Sequence, residues 1–378
     1  MFVEVKKISQ KIIKSLNKRK YFALSFYRVI FLKKEETPGI LFVMSLYLTA
    51  GGVEKRIKQY AAVWKKRGYK TYVAAIQKEK SSQKEDLFLG GNKILKNILL
   101  KIFIHKKNIK VVEWNAGIEG IPFDLEKLKK EKIYVGAVIH AVLKSWNYSY
   151  LTKLDYVFCA SSVMGKRVVE LKDYLVLPNA LSLTPPAWSF CSQKKALLIS
   201  RLSPEKVPSI ESFIKFCLSR NLFFEIAGDV WNESSQRIKI FLKGKYNLED
   251  SVFLGEINTL SYLKEHVADY LFVGGVGQVI LEAGMLGYPC LLCSLCGFEK
   301  SLFITEENFL KAYEVNFSPH SLEETALLLD SASHLFQDFS LLISGRVNKF
   351  ILSKKIEKNC NITKILELYE KNVFEKIK

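Results

Sequence analysis

The sequence predicts an α/β protein of two doubly wound, Rossmann-like domains facing each other across a cleft. Three observations lead there. Short apolar runs alternate with helical stretches along most of the chain, the pattern of βαβ units and parallel sheets. The alternation breaks once, at Leu181–Lys195, where Pro185-Pro186 sits in a stretch without periodicity. The 378 residues suit two domains of about 100–200 residues each.

Residues 1–38 read as a basic amphipathic segment. Val5, Ile8, Ile12 and Leu16 recur at spacings of three and four, while Lys6, Lys7, Lys11, Lys14 and Lys18 fill other positions. The apolar run Tyr21–Leu32 follows, with Arg28 inside it and Lys18-Arg19-Lys20 and Lys33-Lys34 at its borders. It falls short of the ~18–20 residues of a transmembrane helix. No small-residue cleavage site follows, so a cleaved signal peptide fits poorly. The pattern fits in-plane binding to an anionic bilayer, and equally a helix packing its apolar face on the protein's own core.

The first domain is expected over 39–180. Strands are predicted at Gly39–Ser45, Thr71–Ile76, Val111–Trp114, Ile133–Ile139, Tyr156–Cys159 and Tyr174–Leu177, with a helix at Val53–Arg67 stopped by Gly68. Residues 181–195 read as a linker. The second domain is expected over 196–352, with strands at Ala196–Ser200, Phe223–Ala227, Val252–Leu254, Tyr270–Val273 and Cys290–Cys293. Residues 353–378 are helical and charged. In such a pair a ligand sits between the carboxyl ends of the two sheets.

The charge is uneven. The net charge is +19, and residues 1–110 carry all of it, with 26 basic against seven acidic side chains. A basic first third points to a polyanionic surface, lipid or nucleic acid, as partner. Seven cysteines, an odd number in a long chain, indicate a reducing compartment. Cys290, Cys293 and Cys296 are spaced like cluster ligands, but no fourth cysteine is near. Pro289–Cys293 reads as a buried strand in which Cys is a small hydrophobe. The five histidines form no H-x-x-x-H pair, so no metal site is predicted.

Candidate site residues gather at strand ends. Arg201 and Lys206 lie in Ser200–Lys206, directly after a strand, where a planar fork and a point charge can clamp a diphosphate. Gly228, in Ile226-Ala227-Gly228-Asp229, lets backbone approach a base or sugar. Gly275 and Gly277 form a turn between a strand and a helix whose first N–H groups favour phosphate. Glu282 lies in an otherwise apolar helix, where a carboxylate needs a hydrogen-bonding task such as ribose hydroxyls. Gly51 and Gly52 follow the first strand. His140 ends the strand at 133–139, placed to bond a sugar hydroxyl or a reacting oxygen.

In this order the pieces resemble the GT-B glycosyltransferases, and among them the large retaining group often called group 1 or family 4. The matching segments are GGVEKRI (51–57), VGAVIH (135–140), ISRLSPEK (199–206), IAGD (226–229), VFLGE (252–256) and VILEAGMLGYP (279–289), within a span from about Gly39 to Pro319. The resemblance implies donor binding mainly by the C-terminal domain. Arg201 and Lys206 then hold the diphosphate and stabilise the leaving nucleotide, and Glu282 binds the ribose. Gly51 and Gly52 form the loop near the phosphates and acceptor, and His140 lines the donor-sugar pocket. It also implies retention, no divalent metal or other cofactor, and a last helix crossing back to the N-terminal domain. One position departs: the group's first glutamate, eight residues before Glu282, is Gly274 here. That leaves the transferred sugar and the stereochemical outcome open.

The expected function is transfer of a sugar from a nucleotide-diphosphate sugar to a glycan or lipid-linked acceptor in bacterial surface polysaccharide or lipopolysaccharide synthesis. The expected place is the cytoplasm, peripheral to the inner face of the membrane, with residues 1–110 on an anionic surface. Two alternatives stand beside it. Gly274 suits a non-catalytic scaffold of the same fold. The +19 charge suits a nucleic-acid-binding protein, although no zinc finger, RNP-like or helix-turn-helix signature is present and no nucleic acid is expected.

Overall fold

The computed structural model describes residues 29–46, 52–77, 85–89, 93–115, 123–140, 149–167, 173–181, 184–189, 194–228, 230, 233–293, 302–317 and 349–377. The amphipathic pattern before residue 29, Gly51, Asp229 and Cys296 lie outside the described residues. The chain divides into two compact units.

The first unit comprises Met1–Ala160, Met164–Leu177 and Leu366–Lys378. Its strands are β1 (Gly39–Leu46), β2 (Lys70–Gln77), β3 (Leu87–Phe88), β4 (Ile109–Asn115), β5 (Tyr134–Ile139), β6 (Tyr156–Cys159) and β7 (Leu175–Val176). They form one parallel sheet in the order β3-β2-β1-β4-β5-β6-β7. The central strands are buried on both faces, so they read as continuous apolar runs. The connecting helices are α1 (Gly52–Lys66), α2 (Lys93–Lys106), α3 (Leu125–Lys130) and α4 (Ser162–Arg167).

Helix α1 shows why such segments stop where they do. Glu54 lies in its first turn and Lys65 and Lys66 in its last, both favourable to the helix dipole. Gly68 then takes φ +81°, with Gly68 N–H donating to Lys65 and Tyr69 N–H donating to Trp64, a Schellman stop. One face of the sheet carries Leu41, Val43, Val112, Trp114, Val135 and Ala137 in a single apolar core. The opposite face places Glu113, Gly136 and Tyr156 in register on neighbouring strands.

The second unit comprises Ser161–Val163 and Pro178–Ile365. Its strands are β8 (Lys195–Ile199), β9 (Phe223–Ala227), β10 (Phe253–Gly255), β11 (Phe272–Gly275), β12 (Cys290–Leu292) and β13 (Leu302–Phe303). The order is β10-β9-β8-β11-β12-β13, parallel except for β13. Counted within the unit this is 3-2-1-4-5-6, the dinucleotide-binding arrangement, whose switch point lies between β8 and β11. Its helices are α5 (Val207–Leu218), α6 (Glu233–Tyr246), α7 (Thr259–Glu265), α8 (Gln278–Met285), α9 (Phe309–Glu314) and α10 (Lys349–Cys360).

Two apolar cores cover this sheet. One gathers Leu197, Val273, Ile280, Leu281 and Tyr288, and the other Leu198, Ile210, Phe213, Phe216 and Phe272. Cys290 belongs to the first and Cys293 to the second, so the two thiols do not converge. Gly284 lets α10 lie close to α8, since a Cβ there would meet Leu352 and Ile356 at 2.7–2.9 Å. Within the stretch read as a linker, Trp188 is buried in the second unit and donates its indole N–H to Tyr270 O at 3.0 Å. The C-terminal segment is two helices rather than one. They break at Asn361, and the last, Ile362–Ile377, continues from Leu366 as part of the first unit.

Candidate functional site

The switch point of the second unit is framed by the segments that leave β8 and β11. Ser200 N–H donates to Ala227 O at 2.9 Å, which ties the end of β8 to β9. Leu202 anchors the loop in the core. A single 3-10 turn, Pro204–Lys206, then leads straight into α5. Arg201 is exposed and Lys206 half-buried. Burial, then the Arg201 charge, push the Lys206 ammonium down to about 8, and Glu205 only partly opposes them. Burial works to raise the Glu205 carboxyl, yet it lies below its ordinary range. Ser203 Oγ donates to it at 2.6 Å, and Arg201 and Lys206 lie near. The Arg201 charge beside Lys206 is an arrangement that a nearby anion would relieve.

The glycines keep this edge bare for different reasons. A Cβ at Gly228 would overlap Ser200 O, so glycine follows β9 because two backbones meet there. A Cβ at Gly275 would come 2.6 Å from Val279 and 3.2 Å from Ile199 O, so this glycine seats α8 against the sheet. Gly277 precedes α8 at φ +60°, a conformation strained for any side chain, with open space where its Cβ would be. Its N–H donates to Phe317 O at 2.6 Å. The first N–H groups of α8 lie beyond it, oriented as in an anion-binding helix start.

Glu282 lies one turn into α8 and is almost fully enclosed. Gln278, one turn earlier, donates to its Oε1 at 3.3 Å. Gly274 faces away from this edge. A Cβ there would come 2.5 Å from the Phe213 ring and 3.4 Å from Cys293 Sγ. The space that a glutamate side chain needs at this position is filled by the aromatic core.

In the first unit, His140 directly follows β5, and Gly52 opens α1 with nothing within 4 Å of its Cβ position. His140 Nε2 lies 3.1 Å from Asn115 Oδ1 at the end of β4. Burial and the nearby Arg56 charge hold the imidazole well below its ordinary range, so it is neutral at physiological pH. Arg56 is itself buried and donates to Leu177 O.

Behind His140 lies a group of residues that the sequence reading missed. Glu113 is fully buried in β4. Tyr156 Oη donates to its Oε2 at 3.0 Å and Tyr369 Oη at 2.7 Å, while Asn115 Nδ2 lies 3.5 Å from Oε1. Trp64 Nε1 donates to Tyr369 Oη at 2.8 Å. Burial raises the Glu113 carboxyl to about 7, against the pull of the tyrosine and asparagine donors and of Arg56. The signal available in the sequence was Glu113-Trp114-Asn115, a carboxylate and an amide inside an apolar strand.

No protein-family model and no curated protein matches the sequence. Solved structures do match the fold. A glycosyltransferase from Rickettsia africae ESF-5 is 16% identical, with 90% of this chain and 99% of that chain covered and a TM-score of 0.57. The apo form of the lipopolysaccharide outer core galactosyltransferase WaaB is 13% identical, with 89% and 99% covered and a TM-score of 0.57. The pneumococcal O-GlcNAc transferase GtfA, in complex with UDP and GlcNAc, is 12% identical, with 91% and 100% covered and a TM-score of 0.56.

Proposed function

We propose that the chain, which has the two-Rossmann-domain GT-B fold of these structures, is itself a glycosyltransferase, moving a sugar from a nucleotide-diphosphate sugar to a glycan or lipid-linked acceptor. The observation that carries this reading is the pair Arg201 and Lys206 at the carboxyl end of β8, beside the switch point. Such a pair neutralises a diphosphate in the ground state. It stabilises it further as charge builds on the leaving nucleotide.

The start of α8 past Gly275 and Gly277 takes the phosphates, and Gly228 borders the base. Glu282 takes the ribose hydroxyls in exchange for its bond from Gln278. His140 contacts the transferred sugar, and Gly52 borders the phosphates and the acceptor. The bond from the anomeric carbon to the terminal phosphate oxygen breaks, and one to the acceptor oxygen forms. The acceptor's proton passes to the departing phosphate. Arg201 and Lys206 supply the electrophilic assistance, so no divalent metal is required.

The acceptor side belongs to bacterial surface polysaccharide or lipopolysaccharide synthesis in this reading, and the likeness to the lipopolysaccharide outer core galactosyltransferase supports it. An anionic membrane surface is the further partner. On α2, Ile94 and Ile98 are 70% and 43% exposed among Lys96, Lys101 and Lys106, an apolar strip with cationic borders. No described helix is long and apolar enough to cross a membrane.

The test is turnover of nucleotide sugars with a lipid-linked acceptor pool. Arg201→Ala and Lys206→Ala should each lower transfer about 100-fold or more. Wild-type rates in both variants contradict the reading. A second reading, a scaffold without turnover, is favoured by the Phe213 ring filling the space beside Gly274. Nucleotide binding without any transfer selects it.

A further inference from the structure

A chain of buried hydrogen bonds in the first unit has a direction. It begins at Trp64, whose indole N–H can only donate, and Tyr369 Oη accepts from it at 2.8 Å. The Tyr369 proton is thereby turned to Glu113 Oε2, 2.7 Å away. Tyr156 gives a second proton to the same oxygen at 3.0 Å. With two donors on Oε2, the carboxylate meets Asn115 through Oε1 and takes its Nδ2–H there, at 3.5 Å. The opposite amide orientation sets two acceptor oxygens face to face inside a dry core. Asn115 therefore presents Oδ1 to His140 Nε2 at 3.1 Å, and that nitrogen must carry the proton. The other ring nitrogen, Nδ1, keeps its lone pair.

We propose that Glu113 and Asn115 are positioning residues that fix His140 in its Nε2–H tautomer, so that Nδ1 accepts a hydrogen bond from a hydroxyl of the sugar ligand. The second half of that statement rests on the reading of His140 as a sugar contact, while the tautomer stands without it. The consequence for chemistry is specific. Nδ1 selects a ligand that offers a hydroxyl or N–H donor. It has no proton to give to a departing oxygen.

Glu113→Gln is the discriminating change, because it keeps shape and reverses direction. The two tyrosines still donate to the amide oxygen of Gln. Its NH₂ then donates to Asn115 Oδ1, Asn115 Nδ2 turns to His140, and the imidazole must move its proton to Nδ1. The experiment is nitrogen NMR of full-length protein labelled with ¹⁵N-histidine. The buffer stands at about pH 8.5, above the range in which Glu113 takes a proton. His140→Gln assigns the signal among the five histidines.

Wild type should show an unprotonated Nδ1 and a protonated Nε2, and Glu113→Gln should show them exchanged. A wild-type signal with protonated Nδ1 overturns the relay without any variant, as does an unchanged pattern in a folded Glu113→Gln. The second arm is transfer. Loss of about 10- to 100-fold in kcat/KM on exchange of the tautomer supports the sugar contact. Exchanged nitrogens with unchanged transfer overturn that contact while leaving the relay in place.

Discussion

The ring of Tyr156 occupies the space that a side chain at Gly136 would need, and so crosses β5 to reach the carboxylate of Glu113 on β4. The glycine thus serves a hydrogen bond two strands wide. Gly136→Ala forces the ring aside and should destabilise the protein by about 1–3 kcal/mol. Urea denaturation measures it. A loss below about 0.5 kcal/mol would mean that the ring moves at no cost.

Glu113 sets a pH dependence of known sign. Its carboxyl rises from 4.5 to about 7 on folding, chiefly through burial. Between those values the native state holds a proton that the unfolded state has lost. Stability from this group is therefore full below about 4.5 and declines as pH rises toward 7. Relative to Glu113→Gln, wild type should lose about 3 kcal/mol across that window. Parallel stability curves for the two proteins would contradict it.

Gly274 is set in the aromatic core, so a glutamate placed there should not gain a sugar contact. Gly274→Glu drives a carboxylate against Phe213 and Cys293. The expected cost is at least about 3 kcal/mol. Equilibrium unfolding checks this, and a variant as stable as wild type would show that the strand can turn its side chain outward.

Lys206 should take up a proton when a diphosphate binds. Burial and Arg201 hold its ammonium at about 8, and a nearby dianion favours the charged form again. Affinity should fall as pH rises through about 8. Calorimetry near that pH in two buffers of different ionisation heat should report net proton uptake. Lys206→Met should abolish it, and buffer-independent heats in wild type would refute the linkage.

The legibility of the fold follows burial. β1, β5, β8 and β11 are apolar on both faces, so their runs stand out in the sequence. β3 and β13 have two residues each and no period to read. Arg201 and Lys206 could be singled out because cations directly after a strand sit at its carboxyl end by topology. Glu113 was hidden in an apolar run, and its partner Tyr369 is 256 positions away with no local pattern linking them. Gly228 was read as letting backbone approach a base or sugar, and Gly275 as part of a turn before a phosphate-favouring helix start. The structure shows Ser200 O and Val279 as their close neighbours.

Thermal denaturation of the purified protein with UDP, GDP or CMP, each with EDTA, tests the central claim most directly. At about 100 times its dissociation constant, one nucleotide should add ~2.7 kcal/mol of stability, and Arg201→Ala should lose that gain. No stabilisation by any of the three, or equal stabilisation of wild type and Arg201→Ala, would contradict a nucleotide-sugar site at the end of β8.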